Sequence, residues 1–412
     1  MQNSRKLKLI VTTIVMFAII QLDLLYNTWV RQSAEMDHGQ KEKYSITVHS
    51  KKVQKEKNVY DNLNVKYIEF YAKNRSDIQR KLINYSQFQL PEPLFISEQD
   101  RSLFYKNPGN VKMSKMQNAT EKLRGEIYNV RNGTFTLPYD CGYKSNYTFV
   151  TQKREIPKRN WHFALAPMII PEANTFQHFL DGALPKFMQA LEYLQKPDMK
   201  ILILPPRDKI IFEIIDRLNI SQKNLIIASS PFLHGADNLF FTCNTPPLHS
   251  VLWSKARRLI GAHETRTSEE IKVILITRAG SYNKGRNLLN MQEVIQTLHS
   301  RYGIDNVHVF KGPYSLNKSI EIFGKIKIII GVHGGGLYNL MFCPKNTAVV
   351  EIMPTLPDGR MLAASDSIFW AQAYMLEQIY WRLITTPKDS RGNVIVDIKK
   401  LNDILDKIVV DQ

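Results

Sequence analysis

The feature that most limits the fold of this chain is an alternation of short apolar runs with amphipathic stretches, from about residue 120 onward. Runs that are apolar at nearly every position are typical of parallel strands, because helices cover both faces of such a sheet. The runs are residues 201–204, 225–228, 273–276, 307–310, 326–330 and 348–352, and helical stretches at 209–218 and 291–302 lie between them. The pattern predicts an α/β fold, long enough for two Rossmann-like halves with a boundary near residues 250–265.

The N-terminus predicts the compartment. Arg5, Lys6 and Lys8 flank an apolar stretch, and residues 7–30 are long enough to cross a hydrocarbon core of about 30 Å. Positive charge on the N-terminal side predicts a type II signal anchor with a cytosolic tail of residues 1–6. The alternative is a cleaved signal peptide, because the purely apolar part is short. No small-x-small cleavage site follows closely, which favours the anchor.

Glycosylation sequons support a lumenal protein. Seven N-x-S/T sites occur, at Asn74, Asn84, Asn118, Asn132, Asn146, Asn219 and Asn317. This is more than the content of Asn, Ser and Thr predicts by chance. We expect the Golgi membrane, with the endoplasmic reticulum as the alternative, because the sequence shows no retrieval tetrapeptide.

Composition and cysteine usage leave several questions open. The net charge of +17 could suit nucleic acid, a diphosphate, an acidic glycan or a membrane. No nucleic-acid-reading motif or zinc-ligand spacing accompanies the charge, so we do not expect a nucleic-acid partner. Cys141, Cys243 and Cys343 allow one disulfide and one free thiol in an oxidising compartment, and the sequence leaves the pairing open.

The domain organisation follows from these patterns. Residues 31–115 are expected to form a lumenal stem, because the stretch from 40 to 57 is polar and Lys-rich and Pro91 and Pro93 interrupt a later loop. Residues 116–255 are predicted to form an N-terminal Rossmann-like domain that binds an acceptor. Residues 256–412 are predicted to form a C-terminal Rossmann-like domain for a nucleotide donor, ending in a helix.

The most informative stretch for chemistry is residues 326–352. A predicted strand ends in a glycine-rich turn, a helical turn through Asn339 follows, and a second strand ends at Glu351. Glycines between a strand and a helix let backbone N–H groups approach a phosphate. His333 could donate to a phosphate oxygen and Glu351 could accept from ribose hydroxyls. The spacing is neither GxGxxG nor a Walker motif. A tight structural turn is the alternative.

Two further stretches carry candidate groups. A buried strand is predicted to deliver Arg278 at its carboxyl end, followed by Lys284 and Arg286, and then by Asn290 and Glu293 at a helix start. An arginine suits a diphosphate because its planar fork makes two parallel hydrogen bonds. The alternative is a solvated surface loop.

His178 and Asp181 lie three residues apart in residues 174–187 and therefore on one face of a helix. Either side chain could remove the proton of an acceptor hydroxyl. The alternative is the ordinary polar face of a helix N-terminus.

In this order the three stretches resemble the motifs of glycosyltransferase family 61, across roughly residues 140–385. The first motif corresponds to Asn174, His178, Asp181 and Pro185, and the second to Thr277, Arg278, Arg286, Leu289, Asn290 and Glu293. The last and most specific motif corresponds to Gly331, His333, Gly334, Gly336, Leu337, Asn339, Phe342, Val349, Glu351 and Ile352. Gly335 stands where alanine is common in the family, a change that should have little effect.

The resemblance implies a GT-B-like fold, in which two Rossmann-like domains face a cleft. It implies an inverting enzyme that transfers xylose, arabinose or N-acetylglucosamine from a UDP-sugar to a glycan or glycoprotein. The donor nucleotide would be bound by Arg278, Arg286, His333, Gly334, Gly335, Gly336, Asn339 and Glu351. Asp181 or His178 would be the base.

The chain contains no D-x-D motif. We therefore expect no metal and no other cofactor, with cationic side chains and helix N-termini stabilising the departing diphosphate. The oligomeric state stays open. The alternative function is a catalytically silent, membrane-anchored glycan-binding or scaffold protein on the same fold, because a fold does not guarantee an activity.

Overall fold

The computed structural model describes residues 70–71, 75–86, 90–107, 123–136, 161–170, 173–227, 233–262, 272–277, 285–360 and 367–410. All of them belong to one compact unit, Lys66–Gln412. The predicted tail and anchor, residues 1–30, lie outside the described residues. Within the described part, no helix has the length and apolar character needed to cross a membrane.

The first sheet is mixed. Among the described residues its strands are β1 (Phe70–Tyr71), β2 (Ile78–Tyr85), β3 (Leu123–Thr136), β4 (Trp161–Pro167), β5 (Met199–Ile203), β6 (Leu225–Ile227) and β7 (Leu233–Cys243). Their order is β1-β3-β7-β4-β5-β6, with β2 also paired to β3. The pairs among β7, β4, β5 and β6 are parallel, whereas β3 is antiparallel to β1, β2 and β7.

The second sheet is parallel throughout. Its strands within the described residues are β8 (Lys272–Ile276), β9 (Val307–Phe310), β10 (Ile326–Val332), β11 (Ala348–Pro354) and β12 (Ile379–Thr385). Their order is β12-β11-β10-β8-β9. The apolar runs predicted as buried parallel strands therefore form β5, β6, β8, β9, β10 and β11, and the α/β prediction is confirmed.

Helices cover the sheets. They are α1 (Glu98–Lys106), α2 (Leu184–Leu194), α3 (Ile210–Arg217), α4 (Ser250–Ile260), α5 (Met291–Tyr302), α6 (Leu316–Phe323), α7 (Ile368–Met375) and α8 (Ile398–Val410). The predicted helical stretches correspond to α3 and α5. On β8, Ile274 and Ile276 pack into the core shared with the first sheet, whereas Val273 and Leu275 pack into a second core. Both faces of β8 are thus buried, which is why Val273, Leu275 and the two isoleucines between and after them form an apolar run.

The predicted stem requires a correction. Residues 31–115 include β2, which pairs with β3 along eight residues, and α1, whose Phe104 is 1% exposed in the main core. The Trp370 indole also donates to the Pro91 carbonyl at 2.8 Å. The segment from β2 to α1 is therefore part of the folded unit, because its apolar side chains are buried by distant parts of the chain. The boundary between the two predicted domains, at residues 255 and 256, stays a prediction.

The described residues include two of the three cysteines, and their states agree with the expectation of one disulfide and one free thiol. Cys243, at the end of β7, is disulfide-bonded. Cys343 is a free, buried cysteine, and burial raises the pKa of its thiol. A buried thiol that stays protonated is unreactive, so Cys343 acts as a packing residue.

Candidate functional site

A cavity of about 720 Å³ lies where loops after strands of both sheets meet. The first sheet contributes loops after β4 and β5, and the second contributes loops after β8, β9 and β10. The residues that line it include Gln177, His178, Arg207, Asp208, Ile276, Thr277, Tyr314, Gly334, Gly335, Gly336 and Asn339. Ligands of open α/β sheets bind at the carboxyl ends of the strands, so this cavity has the position expected of a substrate site.

The second sheet meets the cavity at its switch point. The chain runs from β8 outward to β9, then returns to β10 on the other side of β8. Crevices form where strand order reverses in this way, because the connections leave in opposite directions. Ile276 and Thr277 at the end of β8, and Val332 and Gly334 after β10, line the cavity there.

The glycine-rich turn packs closely against β8. Gly335 and Gly336 begin a 3₁₀ helix, Gly335–Phe342, directly after β10. A Cβ on Gly336 would lie 2.5 Å from Cγ2 of Ile276, so a side chain at this position would clash. Asn339 donates from Nδ2 to the Gly336 carbonyl at 2.8 Å, which holds the turn. The absence of side chains lets the backbone form one wall of the cavity.

His333 and Glu351 lie behind this turn. Glu351 is fully buried; Oε1 is 2.5 Å from Nδ1 of His333, and Oε2 accepts from the Tyr380 hydroxyl. Burial raises the pKa of Tyr380, so this hydroxyl stays protonated and donates. The direct contacts expected of His333 with phosphate and of Glu351 with ribose are not formed by this arrangement, because neither side chain reaches the cavity wall. Both residues instead support the turn.

Arg286 also supports the turn from outside the cavity. Its Nη1 donates to the His333 carbonyl at 3.2 Å, and burial lowers the pKa of its guanidinium. Arg278 and Lys284 lie outside the described residues, so Arg278 remains a predicted diphosphate ligand. Asn290 and Glu293 bind each other at 2.8 Å beside Val396. They hold the start of α5 and do not line the cavity.

The two candidate bases belong to the helical segment that follows β4. A helical turn, Phe176–His178, continues through a π-helical turn, Phe179–Ala183, into α2. His178 lines the cavity and its side chain is 35% exposed, whereas the Asp181 side chain is 18% exposed. Their closest atoms, Nδ1 of His178 and Oδ1 of Asp181, are 3.7 Å apart. The predicted proximity is confirmed, and His178 is the member of the pair that faces the cavity.

The segment that builds both walls also matches a known family. Residues 176–350 match the family model described as Glycosyltransferase 61. The matched segment belongs to glycosyltransferase family 61. The match is narrower than the predicted span of residues 140–385, and it supports a glycosyltransferase without naming its sugar. None of the curated proteins compared with the chain matches it.

Sequence analysis missed several residues of the family 61 segment that line the cavity. Arg207 and Asp208 follow β5, Tyr314 follows β9, and Gln177 precedes His178. Asp208 accepts from the Phe176 amide at 2.7 Å and so fixes the start of the helical turn. The sequence could have revealed Arg207 and Asp208, because they follow an apolar run in the same way as Arg278 does.

Among the described residues that line the cavity, His178 carries an imidazole, Arg207 a guanidinium and Asp208 a carboxylate. Such a wall can bind an anionic group and accept a proton from a bound hydroxyl. Among the residues that the structure describes, no cluster of His, Cys, Asp and Glu is arranged to hold a metal ion.

Proposed function

We propose that the chain is an inverting glycosyltransferase that transfers xylose, N-acetylglucosamine or arabinose from a UDP-sugar to a glycan or glycoprotein. One observation carries the proposal: the glycine turn of the second sheet and His178 line the same cavity. A donor phosphate and an acceptor hydroxyl could therefore meet within it. The alternative of a catalytically silent scaffold would be favoured if both His178 and Asp181 pointed away from the cavity, and His178 lines the cavity.

The donor would lie on the second sheet. Gly334, Gly335 and Gly336 line the cavity at the start of the 3₁₀ helix, and a helix N-terminus carries a partial positive charge that would favour a diphosphate. Arg207 lines the same cavity from the first sheet. Arg278 directly follows the cavity-lining residue Thr277 in the sequence, and it remains the predicted ligand of the diphosphate. These cationic groups would stabilise the departing UDP.

The acceptor hydroxyl would be activated by His178. In this reaction the neutral imidazole takes the hydroxyl proton, and the oxygen attacks the anomeric carbon of the donor. The bond from that carbon to the diphosphate breaks on the opposite side, so the configuration inverts. Asp181 lies behind His178 and would stabilise the imidazolium that forms. This choice assigns the base to His178 and gives Asp181 a positioning role.

The architecture that we propose is GT-B-like. The second sheet, with its reversal between β8 and β10, would form the donor domain, and the parallel part of the first sheet would form the acceptor domain. The antiparallel strands β1, β2 and β3 are additions to the parallel part. No metal is required in this scheme, because side chains and helix N-termini would carry the diphosphate charge.

The compartment that we propose is the Golgi, with residues 7–30 as a type II anchor. The disulfide at Cys243 supports an oxidising compartment, since such bonds are rare in the cytosol. Among the described residues, four sequons have exposed asparagines, at Asn84, Asn132, Asn219 and Asn317.

The decisive experiment is a donor screen. The purified full chain in detergent is incubated with a panel of UDP- and GDP-sugars, with chelator present, and release of the nucleotide is measured. We expect one UDP-sugar to be hydrolysed slowly and chelator to have no effect. His178→Ala should retain donor binding and lose transfer to an acceptor. If a folded sample binds none of the nucleotide sugars, the proposal is wrong.

A further inference from the structure

A second cavity of about 470 Å³ lies on the first sheet, away from the site described above. Its size falls in the range of small-ligand sites. It is lined by Gln79, Arg80, Lys81, Ile127, Asn129, Phe163, Ala164, Tyr193, Lys196, Asp198, Met199, Asn238 and Phe240.

The position of this second cavity is opposite that of the first along the strands. Ala164 and Met199 are paired neighbours near the start of β4 and at the start of β5, whereas the first cavity is lined by residues beyond the carboxyl ends of both strands. The helical stretch from His178 to Tyr193 links the two cavities. At roughly 1.5 Å per residue it is about 20 Å long, so one sugar ring could not occupy both.

The floor of the second cavity is a row of side chains in register. Gln79 on β2 pairs with Asn129 on β3, which pairs with Phe240 on β7. Side chains directly opposite each other point to the same face of a sheet. Oδ1 of Asn129 is buried and has no hydrogen-bond partner among the described residues. Carboxamides both donate and accept hydrogen bonds, which is what a sugar hydroxyl requires.

Aromatic rings adjoin these amides. Phe163 is 64% exposed at the rim, and the Tyr193 and Phe240 rings are 5.1 Å apart inside. Lys196 places Nζ 5.0 Å from the centroid of the Tyr193 ring. A pyranose ring presents a C–H face as well as a hydroxyl edge. An exposed ring beside paired amides matches both surfaces of such a ligand.

The charges of the second cavity balance one another. Arg80 pairs with Glu126, and Lys81 pairs with Glu192. Lys196 is accompanied in the lining by Asp198. A diphosphate or a sulfated glycan would require cations in excess, because an unpaired anion is costly to desolvate. The lining therefore favours an uncharged ligand.

We propose that the second cavity is a binding subsite for a neutral oligosaccharide, separate from the transfer site. The row of Gln79 and Asn129 binds hydroxyls, and Phe163 stacks on the C–H face of a sugar ring. Binding at this subsite requires neither a donor nor His178. The proposal of the subsite can therefore be tested separately from the proposed transfer reaction.

The test is a binding titration of the purified full chain without nucleotide sugar. Xylohexaose, cellohexaose, chitotetraose and a heparin hexasaccharide are the probes, and saturation-transfer NMR and calorimetry are the readouts. We expect a neutral probe to bind at millimolar concentration or below. Phe163→Ala and Gln79→Ala should each weaken binding by at least about tenfold, which is about 1.4 kcal/mol. Both side chains are exposed, so the variants should fold.

Leu82→Ala is the matched control, because Leu82 is a similarly exposed apolar residue on β2 that does not line the cavity. It should bind as the parent does, and uridine diphosphate should not compete. The proposal is overturned if no neutral probe binds, if the heparin probe binds more tightly, or if uridine diphosphate displaces the sugar. It is equally overturned if Phe163→Ala and Gln79→Ala leave the affinity unchanged.

Discussion

The Tyr338 hydroxyl donates a hydrogen bond to Oδ2 of Asp181, although 157 residues separate the two in the chain. Tyr338 belongs to the 3₁₀ helix after the glycine turn, and Asp181 belongs to the π-helical turn that follows His178. This bond therefore joins the segment of the glycine turn to the segment of His178. Burial, followed by the nearby Asp181 carboxylate, raises the pKa of Tyr338, so its hydroxyl remains a donor.

Removing this hydroxyl should lower the rate of transfer without preventing donor binding. We expect Tyr338→Phe to reduce kcat by about tenfold, a loss typical of one hydrogen bond to a charged group, with KM for the donor unchanged. The ring should stay in place because it packs edge-on against Phe369 at 5.0 Å. Tyr302→Phe, which removes a hydroxyl bound to Arg301 on α5, is the control and should leave kcat unaltered. A rise in donor KM alone would contradict this reading.

The two members of the base pair should behave differently. His178→Ala should lower kcat by at least about a hundredfold, the usual contribution of a general base. Asp181→Asn should lower it less and change the pH dependence of kcat, because the imidazolium loses a nearby carboxylate. Steady-state kinetics over a pH series separates these effects. Should Asp181→Asn instead be the more damaging variant, Asp181 rather than His178 would be the base.

Two neighbouring glycines provide a matched comparison. Gly336→Ala should destabilise the protein by about 1–3 kcal/mol, because its Cβ would be 2.5 Å from the buried Ile276 side chain. Gly335→Ala places its Cβ 2.5 Å from Oε1 of Gln177, the end of a flexible side chain that can move. Denaturant unfolding should therefore show a clear loss for Gly336→Ala and a small one for Gly335→Ala. Equal losses would show that the turn tolerates no side chain at either position.

The buried carboxylate behind the turn should be needed for stability. Glu351→Gln presents an amide nitrogen to a site that now accepts from Tyr380 and contacts His333. We expect the free energy of unfolding to fall by about 2 kcal/mol, since a buried donor loses its acceptor. Donor affinity, measured by calorimetry below the melting temperature, should fall as well, because the turn loses its support. Unchanged stability would place the network outside the folded core.

Acidification should destabilise the fold through a histidine pair. The rings of His162 and His234 stack 5.8 Å apart, and burial, foremost, lowers the pKa of both below the usual 6.5. The unfolded chain therefore binds more protons just below pH 6.5, so stability should decrease as the pH falls through that value toward the folded pKa. Thermal melts from about pH 7.5 to about pH 5 should show a shallower decrease in His162→Gln/His234→Gln. A pH dependence identical to that of the parent would exclude the pair as its source.

The sequence predicted the strands whose two faces are both buried. Strands β8 and β10 are apolar at nearly every position, because the side chains on their two faces pack into two different hydrophobic cores. Strands β2 and β3 were missed because polar and charged residues such as Arg80 and Glu126 interrupt them. These two residues pair with each other only after residues far apart in the chain come together, and a local pattern does not reveal that partner.

The sequence predicted which segments of the chain form the site, but it did not predict which side chains contact each other there. The glycine turn and His178 reach the cavity as expected, whereas Glu351 is sealed behind the turn by Tyr380. A glutamate at the end of an apolar run has the same sequence signature whether it meets a ribose or a buried tyrosine. The decisive partner lies on β12, and its position depends on strand order.

The helical stretch from Phe176 to Leu194 connects the two cavities through one continuous segment, because His178 near its start lines the first cavity and Tyr193 near its end lines the second. Its middle section, Phe179–Ala183, is a π-helical turn, whose hydrogen-bond spacing differs from that of the flanking α-helical turns. Inserting or deleting one residue within Phe179–Ala183 would therefore change the position of the His178 imidazole relative to Tyr193.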